Sequence, residues 1–550
     1  MSRILIAFCL ALSAALAQAP APAAESDQAL GSISGVVRDV DGAPVADASV
    51  RIFSGPGNEA KTGADGHYVL PDLPPRQYRV SAYVQMPHIS RRLVTLSPGE
   101  SVTSIDFKLS VPPKVMGRVL DANGEPLPGV RVHLVGTEYQ HGRLRHTFRA
   151  AAETDDQGAY QLDRFVRSGI RYAILAKPAA WDLSAVSDVP ADPEMRRAVP
   201  IPTYYPRSPS LDGAERLVLR SGEVREDVDI RVLSSPSYCM EGVLRLGGRP
   251  AETYFRIEEQ DVLFGMRGDG GFYGRMPTGK TGPDGRMRVC GLHPTAYKVT
   301  ASSPLDTTGE FFFGTATVAI TREDVRNISV PTSPMLPVSG EVVWDGVPPD
   351  QPVESKVRIS VYSLYRAVWP AELESREVTA SIPGEFAFPG LLMDDYQLRV
   401  TGLPANVYVK DITYGGNSIR HDALRLGSAI GEARLRIVLA HDAAVLDAKV
   451  SDEDGNPVAG AGVCLMPAGA LSEASLAETV VTGETDQRGI YTSGALAPGK
   501  YYLLASGEGF KDLRAPENIG KLWRARPKAQ EVELAPNRTE QVTLRPTVLD

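Results

Sequence analysis

Residues 274–281 fit the phosphate-loop pattern Gly-x-x-x-x-Gly-Lys-Thr, in which backbone N–H groups and the lysine hold the phosphates of a nucleotide. That chemistry requires the loop to lie between a buried strand and the N-terminus of a helix. Here Thr281 is followed at once by Gly-Pro-Asp-Gly, which is a turn sequence. The pattern therefore predicts a turn between strands, and we expect no nucleotide and no other cofactor.

Two Asp-x-Asp-Gly segments, residues 39–42 and 452–455, place carboxylates at a spacing similar to that in calcium loops. A calcium loop also needs an oxygen ligand two residues earlier and a glutamate further on. Val37 and Val450 occupy the earlier positions. Because Asp-Gly also supplies the positive φ of a tight hairpin turn, we interpret both segments as turns.

A hydrolytic zinc centre needs the pattern His-x-x-Glu together with a distant histidine. None of the eight histidines has a glutamate three residues later. His141 and His146 are five residues apart in a polar stretch, which does not fit one helical face and favours a solvated loop. No Gly-x-Ser-x-Gly nucleophile elbow occurs in the sequence. We therefore predict no catalytic residue, no metal ligand and no enzymatic activity.

A lysine–asparagine isopeptide crosslink is a further chemistry to consider, because Lys449 lies on a predicted strand of the last repeat. Asn537 is the candidate partner, and it lies in the turn-forming segment Pro-Asn-Arg. The alternative is an ordinary surface lysine, which is the interpretation we favour.

All these segments belong to one pattern that recurs along the chain. Its first half is a strand, a tight turn built on Asp-Gly or Asn-Gly, and a second strand that restarts after proline. The interval from a small strand residue to the turn glycine is equal in three copies, residues 35–42, 117–124 and 448–455. The five copies begin at Ser34, Met116, Glu241, Ser339 and Asp447.

The second half of the pattern joins a turn glycine to a tyrosine that begins an alternating strand. The step is 12 residues in four copies and 14 residues in the second copy. An alternating strand is half-buried, so each ring is predicted to pack between two sheets with its hydroxyl on a backbone partner. The tyrosines are Tyr78, Tyr172, Tyr297, Tyr396 and Tyr501.

Each copy closes with a further hairpin, which brings it to about six or seven short strands between Gly- and Pro-rich turns. Two stacked sheets bury the apolar faces of such strands. The sequence therefore predicts an all-β fold, a tandem array of about five antiparallel β-sandwich modules. The predicted modules are residues 31–112, 113–235 with a long loop insertion, 236–334, 335–440 and 441–550.

These repeats, above all the copies at Ser34 and Asp447, resemble the carboxypeptidase regulatory-like domain over residues 31–548. The segment Thr-Tyr-Tyr-Pro at 203–206 is similar to one carried by multi-copy exported bacterial proteins of this group. The resemblance implies a transthyretin-like or Ig-like sandwich, also described as a carbohydrate-binding-like fold. In the family this module is associated with stability, sugar-type binding and cell-surface display.

The N-terminus predicts export. Arg3, an apolar run and the segment Ala-Leu-Ala indicate a signal peptide over residues 1–17, followed by an Ala/Pro-rich linker over residues 18–30. No later segment is long and apolar enough to span a bilayer, so we expect no membrane segment after cleavage. The protein is expected in the periplasm, at the outer-membrane surface or in the medium.

The charge and the linkers restrict the partners. A net charge of -9, with no run of Lys or Arg longer than a pair, argues against nucleic acid. Short linkers such as residues 111–113 predict a monomeric, semi-rigid rod.

Cysteine positions predict one crosslink. Cys239 and Cys290 fall in the third module, and export to an oxidising compartment favours a disulfide between them. Closing the loop of 51 residues (290 minus 239) would remove up to about 4 kcal/mol of unfolded-state entropy. Cys464 is left as a lone thiol on a predicted strand.

Insertions into the repeat mark where a ligand could bind, because a sandwich presents variable loops at its ends. Exposed aromatic faces stack on sugar rings, and the alternative is that the loops cover the sandwich edges. The sequence thus predicts an exported non-catalytic binding protein for a polysaccharide or another cell-envelope ligand. The alternative is a structural spacer or adhesin that engages surface proteins. The aromatic candidates for ligand binding are Trp181, Tyr204, Tyr205, Trp369 and Trp523.

Overall fold

The structure, a computed structural model, describes residues 29–549 with internal gaps, so the predicted signal peptide lies outside the described residues. Strands dominate the described part, and two short α-helices accompany them. None of its helices has the length and apolar character needed to cross a membrane. The gaps are residues 40, 53–58, 85–88, 111, 179–197, 260–261, 264–277, 305–309, 350–354, 365–374, 427–432 and 508.

The strands form five successive β-sandwiches, named modules 1 to 5 in chain order, and each module has its own buried apolar cluster. Separate cores are expected for a chain of this length, because a single core stops growing at about 250 to 300 residues. The predicted all-β fold class is confirmed. The exact module boundaries stay a prediction.

Module 1 consists of two facing sheets. One sheet has the order β4-β1-β7, with β8 also pairing with β1, and the other has the order β3-β2-β5-β6. The strands are β1 (Gly31–Asp39), β2 (Ser49–Ile52), β3 (Glu59–Lys61), β4 (His67–Leu73), β5 (Gln77–Tyr83), β6 (Ile89–Thr95), β7 (Ser101–Val102) and β8 (Phe107–Leu109).

Modules 2 and 3 repeat this plan with additional short strands. Module 2 contains β9 (Lys114–Leu120), β10 (Arg131–Gln140), β11 (Arg143–Glu153), β12 (Ala159–Leu162), β13 (Arg171–Lys177), β14 (Val199–Pro200), β15 (Thr203–Tyr204), β16 (Leu217–Val218), β17 (Val224–Arg225), β18 (Ile230–Arg231) and β19 (Ser234–Ser235). Module 3 contains β20 (Tyr238–Val243), β21 (Arg245–Leu246), β22 (Arg249–Pro250), β23 (Tyr254–Glu259), β25 (Thr278–Lys280), β26 (Arg286–Leu292), β27 (Thr295–Ser302), β28 (Phe312–Ile320), β29 (Val325–Ile328) and β30 (Ser333–Pro334). Between β23 and β25, β24 (Val262–Leu263) pairs in parallel with β11 and joins the sheet of module 2.

Modules 4 and 5 complete the array, and module 5 adds the helices. Module 4 contains β31 (Leu336–Trp344), β32 (Val357–Ser363), β33 (Ser375–Ala380), β34 (Gly384–Leu391), β35 (Asp395–Thr401), β36 (Tyr408–Tyr414), β37 (Asn417–Ser418), β38 (Leu424–Arg425) and β39 (Leu435–Ala440). Module 5 contains β40 (Val445–Val450), β41 (Gly462–Pro467), α1 (Glu473–Thr479), β42 (Val481–Glu484), β43 (Ile490–Thr492), β44 (Gly499–Ser506), α2 (Pro516–Ala525), a 3-10 helix (Arg526–Lys528), β45 (Gln530–Leu534) and β46 (Thr539–Leu544).

The first strand of every module has the same two neighbours. It runs antiparallel to the strand after the second turn, as β1 does with β4 and β40 does with β43. It runs parallel to a strand near the end of the module, as β1 does with β8 and β40 does with β46. Modules 2, 3 and 4 show the same two pairings. The repeat in the sequence therefore corresponds to one repeated sandwich topology.

Glycine on the first strand allows the last strand to approach closely. A Cβ on Gly35 would lie 2.2 Å from the carbonyl oxygen of Ile105, and one on Gly117 would lie 2.1 Å from that of Val228. The same carbonyl oxygens accept hydrogen bonds of 2.7 Å from buried tyrosines, Tyr68 in module 1 and its counterpart in module 2. A side chain at the glycine would displace this contact.

The tyrosine that closes the second half of the repeat is buried in all five modules, as predicted. In modules 1, 3, 4 and 5 its hydroxyl donates a hydrogen bond to the backbone carbonyl four residues earlier. In module 2 the hydroxyl of Tyr172 accepts a hydrogen bond of 3.1 Å from the backbone N–H of Arg167. The ring fills the core while the hydroxyl satisfies backbone groups of the preceding corner.

The modules do not form the rod that the linkers suggested. Module 5 contacts module 2 through the backbone N–H of Tyr139, which donates to the carbonyl of Arg514 at 2.7 Å. It also contacts module 1, where Arg488 forms an ion pair of 3.3 Å with Glu100. The rod prediction is wrong, because linkers restrict only neighbouring modules, whereas the β10–β11 hairpin of module 2 and two segments of module 5 form contacts between distant modules.

Replacing Tyr396 with phenylalanine should destabilise module 4 by about 1–3 kcal/mol, because a buried backbone group would lose its partner. The Tyr396 hydroxyl accepts from the N–H of Leu392 at 2.9 Å and donates to the carbonyl of the same residue at 3.2 Å. Hydrogen exchange of peptides from β32 and β35 measures the change. Tyr254→Phe, at a side chain that is 37% exposed, is the control, and equal exchange in both variants would contradict the expectation.

Candidate functional site

Tyr204 and Tyr205 belong to the packing of module 2. Tyr204 is 7% exposed and lies in a second small core on the outer side of the sheet, beside Phe148 and Leu175. Tyr205 is half-buried against the main core, and its backbone N–H donates to the carbonyl of Ile174 at 2.9 Å. Tyr204 therefore presents no open ring face for stacking on a sugar.

Trp523 lies on α2 and is half-buried in the cluster that packs the helices against module 5. The Arg526 guanidinium carbon is 5.2 Å from the Trp523 ring centroid and 4.8 Å from that of Tyr502. Arg526 also donates 2.6 Å hydrogen bonds to the carbonyls of Ala468 and Ala470. This aromatic group therefore holds the helical insertion in place.

Trp181 and Trp369 lie outside the described residues, so ligand binding there stays a prediction.

The segment that fits the phosphate-loop pattern ends in a strand. Residues 264–277 lie outside the described residues, but Lys280 ends strand β25 and pairs with Glu252 at 2.7 Å. The Thr281 hydroxyl accepts from the N–H of Thr253 at 2.9 Å and donates to a backbone carbonyl. The chain then turns at Gly285, with a φ of 68°, into β26. No helix follows the lysine, which agrees with the predicted turn.

The Asp-Gly segments form turns whose carboxylates bind their own backbone. Asp39 accepts 2.9 Å hydrogen bonds from the N–H groups of Asp41 and Ala43. Asp452 does the same for Asp454 and Asn456. The hydrogen bond from the Asn456 side-chain amide, followed by these backbone hydrogen bonds, holds the pKa of Asp452 below its usual range. The turn interpretation is confirmed. Among the described residues, no group of three or more His, Cys, Asp or Glu side chains is placed to hold a metal.

The strand register separates Lys449 from Asn537. Lys449 pairs with Thr543 in the parallel β40–β46 ladder, six residues beyond Asn537. At about 3.3 Å per residue, six residues along a strand correspond to roughly 20 Å. Both side chains are exposed, so the surface-lysine interpretation fits and a crosslink between them does not.

A threonine and an aspartate whose side chains bind the backbone recur in the repeat, although the sequence motifs pointed to neither. Thr62 accepts from the N–H of Ala48 at 2.9 Å and donates to the carbonyl of Val45 at 2.7 Å. Asp106 accepts from the N–H of Val36 at 2.9 Å. In each case the threonine lies four residues before the turn glycine, and this constant step could have revealed the threonines from the sequence. These threonines are Thr62, Thr154, Thr281 and Thr485.

Cys239 and Cys290 form a disulfide across the β20–β26 pair, at a bulge in the register after Tyr238. The Cα atoms are 4.0 Å apart, and both residues are buried. The third remaining cysteine, Cys464, is buried and free, and burial raises the pKa of its thiol. The disulfide therefore links two strands of one sheet in module 3 and leaves the loops unconstrained.

A cavity of about 470 Å³ lies beside the first turn of module 1. The three basic side chains on its wall are Arg38, Arg92 and Lys108, and its acidic residues include Asp39 and Asp106. Both of these carboxylates accept hydrogen bonds from backbone N–H groups. These two carboxylates are thus committed to the fold.

The contact between modules 5 and 2 is partly apolar. Tyr139, near the tip of the long β10–β11 hairpin, packs against the cluster formed by α1, α2 and β41. In return, Ala515 of module 5 is buried in the main core of module 2. Arg167 forms an ion pair with Asp512 at the same place. Two modules that are distant in sequence therefore share buried apolar surface, which anchors module 5 on module 2.

The contact between modules 5 and 1 is polar. The side-chain amide of Gln487 accepts from the backbone N–H of Thr95 at 3.0 Å and donates to the carbonyl of the same residue at 2.6 Å. Arg488 donates to the Ser97 hydroxyl at 3.2 Å and pairs with Glu100. Thr95 ends β6, the edge strand of its sheet. The turn of module 5 thus binds that edge much as a neighbouring strand would.

Modules 3 and 4 bring buried charges together. Burial lowers the pKa of Lys298 on β27 and raises that of Asp394 beside β35, although each charge favours the other. Asp394 also accepts a hydrogen bond of 2.6 Å from the Ser363 hydroxyl. Buried opposite charges that compensate each other are typical of a packed interface.

Comparison with known families identifies one module. Residues 32–110 match the carboxypeptidase regulatory-like domain. This range corresponds to module 1, which supports the resemblance drawn from the repeats. No curated protein matches the chain.

Several solved structures share a distant likeness with the chain, and three of them serve as examples. The Bacillus anthracis TIE protein is 14% identical with a TM-score of 0.16, and the match covers 55% of this chain and 51% of that protein. BcpA, the major pilin subunit of Bacillus cereus, is 13% identical with a TM-score of 0.15, covering 56% and 98%. The RrgB pilus protein from Streptococcus pneumoniae is 10% identical with a TM-score of 0.15, covering 80% and 99%. TM-scores this low carry no inference about function.

Thiol titration tests the cysteine pairing. In the chain without its signal peptide, unfolding in denaturant without reductant should expose one thiol, that of Cys464, and addition of reductant should expose three. The folded protein should react slowly, because Cys464 is buried and its thiol pKa is raised. Three thiols in denaturant without reductant would contradict the disulfide.

Acidification should destabilise module 2 through His133. This ring is 3% exposed and stacks on Phe148, with centroids 4.3 Å apart. Burial, followed by the charges of Lys177 and Arg131, holds its pKa well below 6.5. The unfolded chain therefore binds the proton more readily, so the stability contributed by the neutral ring is present above pH 6.5 and is lost as the pH falls below it.

His133→Phe should remove this loss, which amounts to about 1.4 kcal/mol per pH unit between the unfolded and folded pKa values. Thermal unfolding at pH values on both sides of the ordinary histidine pKa measures the difference between the variant and the parent chain. His67→Gln, at an exposed histidine, is the control. The same pH dependence in the His133 variant and the parent would refute the assignment.

Proposed function

We propose that this protein is an exported, non-catalytic scaffold whose five modules engage other proteins at the cell surface. The observation that supports it best is the use of module 5 to bind both module 1 and module 2. A chain that connects its ends in this way brings the outer loops and sheet edges of distant modules close together. Extended protein segments commonly bind such edges by strand addition.

The placement of the chemically active side chains agrees with this proposal. The carboxylates of the Asp-Gly turns bind backbone N–H groups, and Lys280 pairs with a glutamate. Export rests on the N-terminal sequence, and the disulfide in module 3 suits an oxidising compartment. As part of the same proposal, we place the exported protein in the periplasm, at the outer-membrane surface or in the medium.

Carbohydrate binding is the second candidate, and it depends on the aromatic residues of the insertions. Trp523 is half-buried beneath Arg526, and Tyr204 is buried. Both observations weaken the carbohydrate candidate at those two positions. Trp181 and Trp369 remain as the residues that would stack on a sugar ring.

Binding of the purified chain to cell-envelope material from the producing organism separates the two candidates. The scaffold proposal expects saturable binding that protease treatment of the envelope abolishes and periodate oxidation of its glycans leaves intact. The double variant W181A/W369A should bind like the parent chain, because the contacts lie on sheet edges and loops elsewhere.

The opposite pattern would overturn the proposal. Binding that survives protease, disappears after periodate and falls in the W181A/W369A variant would establish the carbohydrate function instead. Turnover of peptide or ester substrates by the purified chain, above background, would refute its non-catalytic character.

A further inference from the structure

The contact between modules 1 and 5 joins two surfaces that are preformed. In module 5, the Asp486 carboxylate accepts from the N–H groups of Arg488 at 2.9 Å and Ile490 at 3.0 Å, which fixes the turn that carries Gln487. In module 1, Glu100 accepts from the N–H of Ser97 at 2.8 Å. Each surface is therefore held by hydrogen bonds within its own module and keeps its shape when the other module leaves.

The fit between the surfaces is specific. A Cβ on Gly460 of module 5 would lie 2.6 Å from the Nε of Arg92, so the arginine of module 1 occupies the space that a side chain would need. Asp486 also accepts from the Thr95 hydroxyl at 3.3 Å. Shape, hydrogen bonds and opposite charges thus match at one place on each module.

The strength of this contact differs from that of the contact between modules 5 and 2. The ion pair leaves Arg488 46% and Glu100 34% exposed, and exposed ion pairs contribute little to stability. Module 5 is anchored on module 2 by buried apolar residues, including Ala515 in the core of module 2. Module 1 is consequently held less strongly by module 5 than module 2 is, and residues 110–113, Ser-Val-Pro-Pro, connect it to the remainder of the chain.

We propose that module 1 exchanges between two copies of this chain, so that module 1 of each copy docks on the module 5 turn of the other. Detachment leaves the N–H and carbonyl of Thr95 without partners on an edge strand, and such an edge attracts a new partner. A second copy of the chain carries the same preformed turn in its own module 5. The two surfaces differ from each other, so reciprocal exchange gives a closed dimer with two identical contacts. This inference does not depend on the proposed function.

A mixture of two charge-reversal variants tests the exchange. Glu100→Arg places two arginines together within one copy, and Arg488→Glu places two glutamates together. In the exchanged heterodimer both contacts regain opposite charges. Native mass spectrometry with one variant labelled with ¹⁵N should show the heterodimer at least about tenfold above either homodimer, because each restored contact removes one like-charge repulsion.

The matched control uses an ion pair inside one module. Lys500 and Glu531 are 2.6 Å apart in module 5, so mixing Lys500→Glu with Glu531→Lys should give no enrichment of heterodimer. The double variant E100R/R488E restores the pair within each copy and should behave like the parent chain. Circular dichroism checks that every variant is folded.

The outcome that overturns the proposal is a mixture of E100R and R488E that stays monomeric or pairs at random. If a charge-reversal variant fails to fold, a second measurement that uses the parent chain tests the exchange. Labelled and unlabelled parent chains are mixed at high concentration, where exchange predicts a mixed-isotope dimer that Gln487→Ala reduces. Failure to observe this dimer leads to the same rejection, and neither result bears on envelope binding.

Discussion

In each module a strand near the end returns to lie parallel to the first strand, and this pairing is the constraint on which the rest of the structure depends. At the crossing in module 1, the carbonyl of Ile105 lies where a Cβ of Gly35 would be and also accepts the hydroxyl of Tyr68. Module 2 repeats this arrangement with Gly117 and Tyr160. In these two modules the tyrosine hydroxyl supplies the donor that the buried carbonyl needs, and the glycine leaves room for the carbonyl to approach.

The same constraint explains why the sequence contains so many motifs that look catalytic. Short strands need tight turns, and a tight turn is most stable when an aspartate accepts from its N–H groups and a glycine takes the positive φ. The resulting Asp-x-Asp-Gly and Gly-Lys-Thr segments have residue types that also bind calcium or phosphate. In the described part of the chain their side chains bind the backbone, as Asp452 and Thr281 do. The geometry thus assigns them to folding.

The contacts between modules add a second level of organisation. The apolar contact of module 5 with module 2 and the polar contact with module 1 use different parts of the same module, its helical insertion and its second turn. Burial of Ala515 and partial burial of Tyr139 provide an apolar attachment, whereas Gln487 and Arg488 provide a specific polar one whose ion pair is partly exposed to solvent.

The repeat allowed the fold to be predicted, because positions such as Gly35 and Tyr78 serve the sandwich locally and recur with fixed spacing. The turn role of Asp39 could be predicted for the same reason, since its partners are two and four residues away. The burial of Tyr204, the cover that Arg526 places over Trp523 and the docking of Gln487 on Thr95 could not. These depend on residues that are distant in the chain, and for Gln487 the separation is 392 residues. Periodic spacing records the needs of one module, whereas only the folded chain decides which module surfaces meet and what they bury.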